Sequence, residues 1–187
     1  MVERTFPEFS KKQTQGSCIV FSYCLIMSHF LPNEPHEIMV KFINDFNNAV
    51  NRPSNLANAE LSLMRNCYLQ RAINIDNNFI KNYHLQIYPD SGINIELLSL
   101  NKQEDVDRIS QILHDNDALL SASYTMCLPN NWHCTPIGKD DDGFYLIQTN
   151  RNMESPLSLD SISSLIDVDY VHTLGDCLLL FKDSDQE

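Results

Sequence analysis

Two residues of this chain have both the type and the setting for nucleophilic catalysis. Cys18 follows Gly16 and Ser17 and opens the most apolar run of the sequence, Cys18 to Met27. A thiol attacks as its thiolate, and the unpaired amides and macrodipole of a helix N-terminus favour that charge. Ser17 is the expected N-cap, Gly16 lets the backbone come close to a substrate, and the Cys18 amide is left to face a developing oxyanion. The second residue is His133. It stands after Leu128-Pro129-Asn130-Asn131-Trp132, at the mouth of a strand, and a tight turn at Lys139-Asp140-Asp141-Asp142-Gly143 follows. A base on one strand and an orienting side chain on the next, joined by such a turn, can hold an imidazole in its working tautomer. A Cys18/His133 dyad is the expectation. Most cysteines in a globular chain are small buried hydrophobes. Cys24, Cys67 and Cys177 fit that description, whereas a polar turn precedes Cys18.

The composition limits what such a dyad could act on. The 187 residues carry 13 Lys plus Arg against 25 Asp plus Glu, a formal charge of −12. That surface repels phosphate backbones and anionic lipid heads, which argues against nucleic acid as a partner and against membrane association. The six cysteines include no C-x-x-C pair, and a chain of this length needs no disulfide framework, so reduced thiols are expected. The six histidines complete no familiar metal-ligand spacing, and no cofactor is expected. Lys11 and Lys12 before the apolar run imitate a signal peptide. Glu3 and Glu8 in the would-be n-region, and Ser28-His29-Phe30-Leu31-Pro32 at the would-be cleavage site, argue against one. The run is also too short to span a bilayer. A buried helix is the better reading.

The elements that must position the two residues follow from periodicity. Residues 1–15 read as a polar lead-in and 16–187 as a single domain. A helix is expected over about 17–30, apolar on nearly all sides, with further helices over 35–50 and within 58–83. Around the turn Pro89-Asp90-Ser91-Gly92 the sequence reads as strands 84–88 and 93–98. A helix over 105–114 precedes strands at 118–126, 133–138 and 144–149, a helix at 158–166 and a last strand at 177–182. Helices first and an antiparallel sheet second make an α+β arrangement. The single Pro136, three residues after His133, removes one ladder donor.

Residues 15–22, Gln-Gly-Ser-Cys-Ile-Val-Phe-Ser, followed by an apolar helix, resemble the nucleophile region of papain-like effector proteases of the YopT/AvrPphB type. Ser22, four residues after the cysteine, the interval from Cys18 to His133 and the strand–turn–strand after the histidine are similar as well. The resemblance covers about 15–30 and 117–150, and its motifs are short. It implies a papain-like cysteine protease fold and an acyl-enzyme route. It also implies a side-chain amide in the oxyanion hole, for which Gln13 is the first choice and Gln15 the second. Where the family carries a catalytic Asp this chain has Gln148, with Asn150 as the alternative orienter. An amide can accept from the imidazole but cannot stabilise imidazolium as a carboxylate does. The resemblance further implies a bacterial effector, secreted without a Sec signal and acting on a host protein in the host cytosol. A glutamine deamidase on the same fold would share this machinery, and a catalytically weakened binding module is the reading from another class.

Overall fold

The computed structural model describes residues 18–31, 76–126, 132–146 and 157–184. The expected helix over 35–50 and most of the helical stretch 58–83 lie outside them, as do Gln13, Gln15, Gln148 and Asn150.

Helix α1 spans Cys18–Phe30. Ile19, Tyr23, Cys24, Leu25, Ile26, Met27 and Phe30 are all buried, so the helix is enclosed rather than laid on a surface, as its all-round apolarity requires. Its two buried serine hydroxyls are accounted for. Ser28 Oγ donates to the Cys24 carbonyl at 2.7 Å, and Ser22 Oγ pairs with Ser121 Oγ at 2.8 Å. Helix α2, Asn77–Ile87, is capped by Asp76, whose side chain accepts from the Phe79 amide at 2.9 Å. This corrects the strand expected over 84–88. Ile80, Tyr83 and His84 are buried at helical spacing while Leu85 and Gln86 face water, so the period there is 3.6 rather than 2. Helix α3 spans Gln103–Asp115, with Glu104 and Asp105 in the first turn and His114 in the last, which suits the macrodipole.

The strands are β1 (Ile93–Ser99), β2 (Asp117–Met126), β3 (Trp132–Asp140), β4 (Gly143–Leu146), β5 (Leu157–Leu159) and β6 (Val171–Lys182). They form one six-stranded sheet in the order β1-β6-β2-β3-β4-β5, and each pairing is antiparallel. The α+β class expected from the sequence is what the chain adopts. The helix expected over 158–166 is instead strand β5 followed by a 3-10 turn at Ser163–Asp167. Leu159, Ile162 and Leu165 are buried at a spacing of three, which is why that stretch reads as a helix. The last strand begins six residues before the expected 177.

Strand alternation divides the core between the two faces of the sheet. Leu119 of β2, Cys134 of β3 and Leu178 and Leu180 of β6 pack with α1 and α2. Leu120, Ala122 and Tyr124 of β2, with Ile137, Leu179 and Phe181, pack with α3 and the 3-10 turn on the other face. A sheet covered on both sides explains why β2 is almost wholly buried. Among the described residues no helix is long and apolar enough to cross a membrane.

Candidate active site

The site is assembled by α1 docking its first turn onto β3. Cys18 is the first residue of α1, and it is buried, with 8% of its surface exposed. His133 and Cys134 are consecutive on β3, 6% and 4% exposed. The side chains of Cys134, first, and of His133 outweigh burial and bring the Cys18 thiol down from 9.0 to about 5. Burial alone pushes Cys24, six residues further along the same helix, up to about 12. Cys177 is also held above its ordinary value, chiefly by burial. Cys18, Cys24, Cys134 and Cys177 are all free.

The His133 ring is held from the sheet. Tyr124, directly opposite it on β2, meets the ring edge-on with centroids 5.7 Å apart. His133 Nε2 is buried and has no hydrogen-bond partner among the described residues. A buried ring nitrogen left unpaired is costly, and it marks the place where an orienting acceptor would act. Gln148 and Asn150, the two expected for that role, lie outside the described residues. Gln13 does too. Pro136 is buried within β3 opposite Ser121 and does not interrupt the β2–β3 ladder.

Cys134 is the member of this constellation that sequence reasoning passed over. Its thiol also pairs with Ser123 Oγ at 3.0 Å, and Ser123 in turn accepts from Asn77 Nδ2 at 3.0 Å. Alternation was the available signal: Cys134 packs with α1, while its neighbour His133 lies opposite Tyr124, which packs on the other face of the sheet. Trp132 is next to His133 on β3, with 55% of its surface exposed and its indole over Gly175. Among the described residues, no three His, Cys, Asp or Glu side chains are arranged to hold a metal ion.

No family model and no curated protein matches the chain. Among solved structures, the crystal structure of the Pseudomonas avirulence protein AvrPphB aligns with 78% of this chain and 91% of its own length. The identity is 13% and the TM-score 0.29. A likeness of that size carries no argument about activity, so the functional reading stands on the site itself.

Proposed function

We propose that this chain is a papain-like cysteine hydrolase that attacks a carbonyl of a protein substrate through Cys18, with His133 as its acid and base. The reading is supported by Cys18 at the N-terminus of a buried helix, its thiol held low by the side chains of Cys134 and His133. In this mechanism the Cys18 thiolate adds to the carbonyl carbon. The oxyanion that forms faces the free amides of the first turn of α1. Protonated His133 gives its proton to the leaving amine, which departs and leaves a thioester. Water, deprotonated by His133, then releases the acid and frees the thiol. Gln13 as a further oxyanion donor, and Gln148 as the group that orients His133, belong to this proposal through the resemblance of residues 15–22 and of the hairpin. So do the host-protein substrate and the effector role.

Gln148, an amide where the family carries Asp, favours one second reading, a binding module that keeps the fold with the third catalytic member lost. Mass spectrometry of candidate target proteins after incubation separates the two. A truncated product means proteolysis, and a gain of about one dalton per site means deamidation of glutamine by the same acyl-enzyme route. Either product should disappear with Cys18→Ser. Intact, unmodified targets that co-purify equally with wild type and Cys18→Ser would support the binding module.

A further inference from the structure

The two helices on the α1/α2 face of the sheet begin at the same level. His29 Nε2 meets Asp117 Oδ1 at 2.7 Å and Ser22 Oγ meets Ser121 Oγ at 2.8 Å, so α1 runs antiparallel to β2. From His29 back to Ser22 the helix covers about 10 Å, and from Asp117 to Ser121 the strand covers about 13 Å. Cys18 lies about 6 Å further along the helix and Ser123 about 7 Å further along the strand, which brings the start of α1 level with Ser123. Helix α2 is fixed at that level too, since Asn77, its first residue, donates from Nδ2 to Ser123 Oγ at 3.0 Å. It then runs beside α1 in the same direction: Tyr23 meets Tyr83 edge-on, and Tyr23 Oη pairs with His84 Nδ1 at 2.9 Å. Two helix N-termini, the positive ends of their dipoles, therefore open on one stretch of β2.

Asn77 has a polar atom left over in this arrangement. The residue is 8% exposed, and Oδ1 is buried with no partner among the described residues. The bond from Nδ2 to Ser123 fixes the amide plane and with it the direction of Oδ1, and Ser123 Oγ is held in turn by Cys134 Sγ at 3.0 Å. A buried acceptor left unpaired is costly and calls for a partner from outside the fold. Beside it, the Asp76 side chain takes the Phe79 amide, while the amides of Asn77 and Asn78 have no acceptor within the helix. The start of α2 thus offers an acceptor next to donors, the complement of a peptide group with its one N–H and one C=O. Cys18 and Asn77 are equally deep, each 8% exposed, so a substrate that reaches the thiol reaches the depth of Asn77. We propose that Asn77 is a substrate-binding residue whose Oδ1 accepts one of the two backbone N–H groups nearest the carbonyl that Cys18 attacks, on its acyl side. Such a contact selects a main-chain peptide carbonyl, which has a backbone N–H on the adjoining carbon. The side-chain carbonyl of glutamine is set apart from its backbone N–H by two further methylenes.

This inference rests on the reading of Cys18 as the nucleophile of a cysteine hydrolase, and the test separates the two. The whole chain, as wild type, Asn77→Ala and Asn77→Asp, is treated with a pool of peptidyl acyloxymethyl ketones of varied side chains. Each is made with ordinary amides and with the first or the second nitrogen from the ketone methylated. Rates of adduct formation on Cys18 are read by peptide mass spectrometry, and methyl methanethiosulfonate, which has no N–H, reports on the thiol itself. In wild type, methylating one of the two nitrogens should slow the ketone about 3- to 10-fold. In Asn77→Ala the ordinary ketone should be slowed by as much, methylation should then change its rate by less than about twofold, and the thiosulfonate rate should hold. Asn77→Asp keeps an acceptor, now charged, so methylation should slow it more than wild type, and it carries the test if Asn77→Ala does not fold. Adducts on wild-type Cys18 that are indifferent to methylation at both nitrogens would overturn the inference and leave the hydrolase reading standing. So would a methylation effect that is the same in every folded variant. Equal slowing of ketone and thiosulfonate in Asn77→Ala would mean that Asn77 only supports the fold, and would overturn it too. No ketone adduct on wild-type Cys18 from any member of the pool would overturn the inference and the hydrolase reading together.

Discussion

Replacing His133 by Ala should change how Cys18 reacts in a way that depends on pH, and the size of the change follows from the site. With the thiol at about 5, against an ordinary 9.0, about nine-tenths of Cys18 is thiolate at pH 6, compared with about one part in a thousand for an ordinary thiol. That is a gain of ~10³ in the reactive form. Low-pKa thiolates are weaker nucleophiles, and a Brønsted slope of about 0.4–0.5 over four units returns a factor of ~40–100. The net advantage of wild type at pH 6 is then at most about 10- to 20-fold, since Cys134, the largest cause of the lowering, remains in the variant. At about pH 10 the order should reverse, since both thiols are then mostly ionised and the variant is the better nucleophile. Trimming the imidazole also opens access to a buried sulfur, but that raises the variant's rate at every pH alike. The crossing of the two profiles is therefore the readout. Cys24, buried and pushed up to about 12, serves as the internal control and should label slowly in both proteins. The assay is competitive labelling with isotope-coded iodoacetamide from pH 4 to 10, quantified on the Cys18 and Cys24 peptides. Parallel profiles that never cross would refute the thiolate–imidazole pair.

Three other outcomes are expected. His84 is buried, with Nδ1 paired to Tyr23 Oη and Nε2 to the Ile93 carbonyl, both at 2.9 Å, and burial lowers its pKa. The unfolded chain then takes up this proton more readily. The stability it brings is complete above about 6.5 and is lost as pH falls below that towards the folded-state value. His84→Phe should cost about 1–3 kcal/mol at pH 7 yet lose less between pH 7 and 5, by urea unfolding; equal losses would contradict the neutral buried ring. A Cβ at Gly175 would lie 2.5 Å from Trp132 Cζ3, and Trp132 is the only tryptophan in the chain. Gly175→Ala should displace the indole, shift its fluorescence and cost about 1 kcal/mol; unchanged emission would mean the ring does not rest there. Gln148→Ala should lower turnover at least about tenfold, though less than loss of the base, and Asn150→Ala should do so mildly. A severe loss confined to Asn150→Ala would transfer the role.

The start of the buried helix at Cys18 was legible in the sequence because its signals are local: Gly16 and Ser17 stand before an all-round apolar run. The hairpin at 139–143 was equally plain, since Asp-rich turns with Gly announce themselves: Asp140 Oδ1 accepts from the amides of Asp142 and Gly143. What failed was local pattern without a partner to break the tie. Residues 84–88 alternate well enough for a strand, and only Asp76, eight residues earlier, shows that a helix has already begun. The spacing of three at Leu159, Ile162 and Leu165 is shared by a helix and by a strand running into a 3-10 turn. The second thiol was harder still. Asn77, Ser123 and Cys134 are far apart in the chain, and nothing in the sequence says that α2 starts beside β2. Gly175 was invisible for the same reason. Between Ala122/Cys177 and Tyr124/Leu174 the β2–β6 register shifts, so that two residues of β6, one of them Gly175, lie opposite Ser123 alone.

The central claim is that Cys18 and His133 act together as a catalytic pair, and covalent trapping tests it most directly. Folded wild-type protein, Cys18→Ser and His133→Ala are each treated with a pooled set of peptidyl acyloxymethyl ketones of varied P1 residue. These warheads alkylate poised catalytic thiols, the sulfur displacing the carboxylate, and leave ordinary ones alone. Adducts are located by peptide mass spectrometry. The account expects a single adduct on Cys18 in the wild-type protein, none at any cysteine in Cys18→Ser, and little or none in His133→Ala. Iodoacetamide labelling of wild-type Cys18 with no ketone adduct from any member of the pool would contradict it, since the chain would then carry a thiolate without a catalytic site.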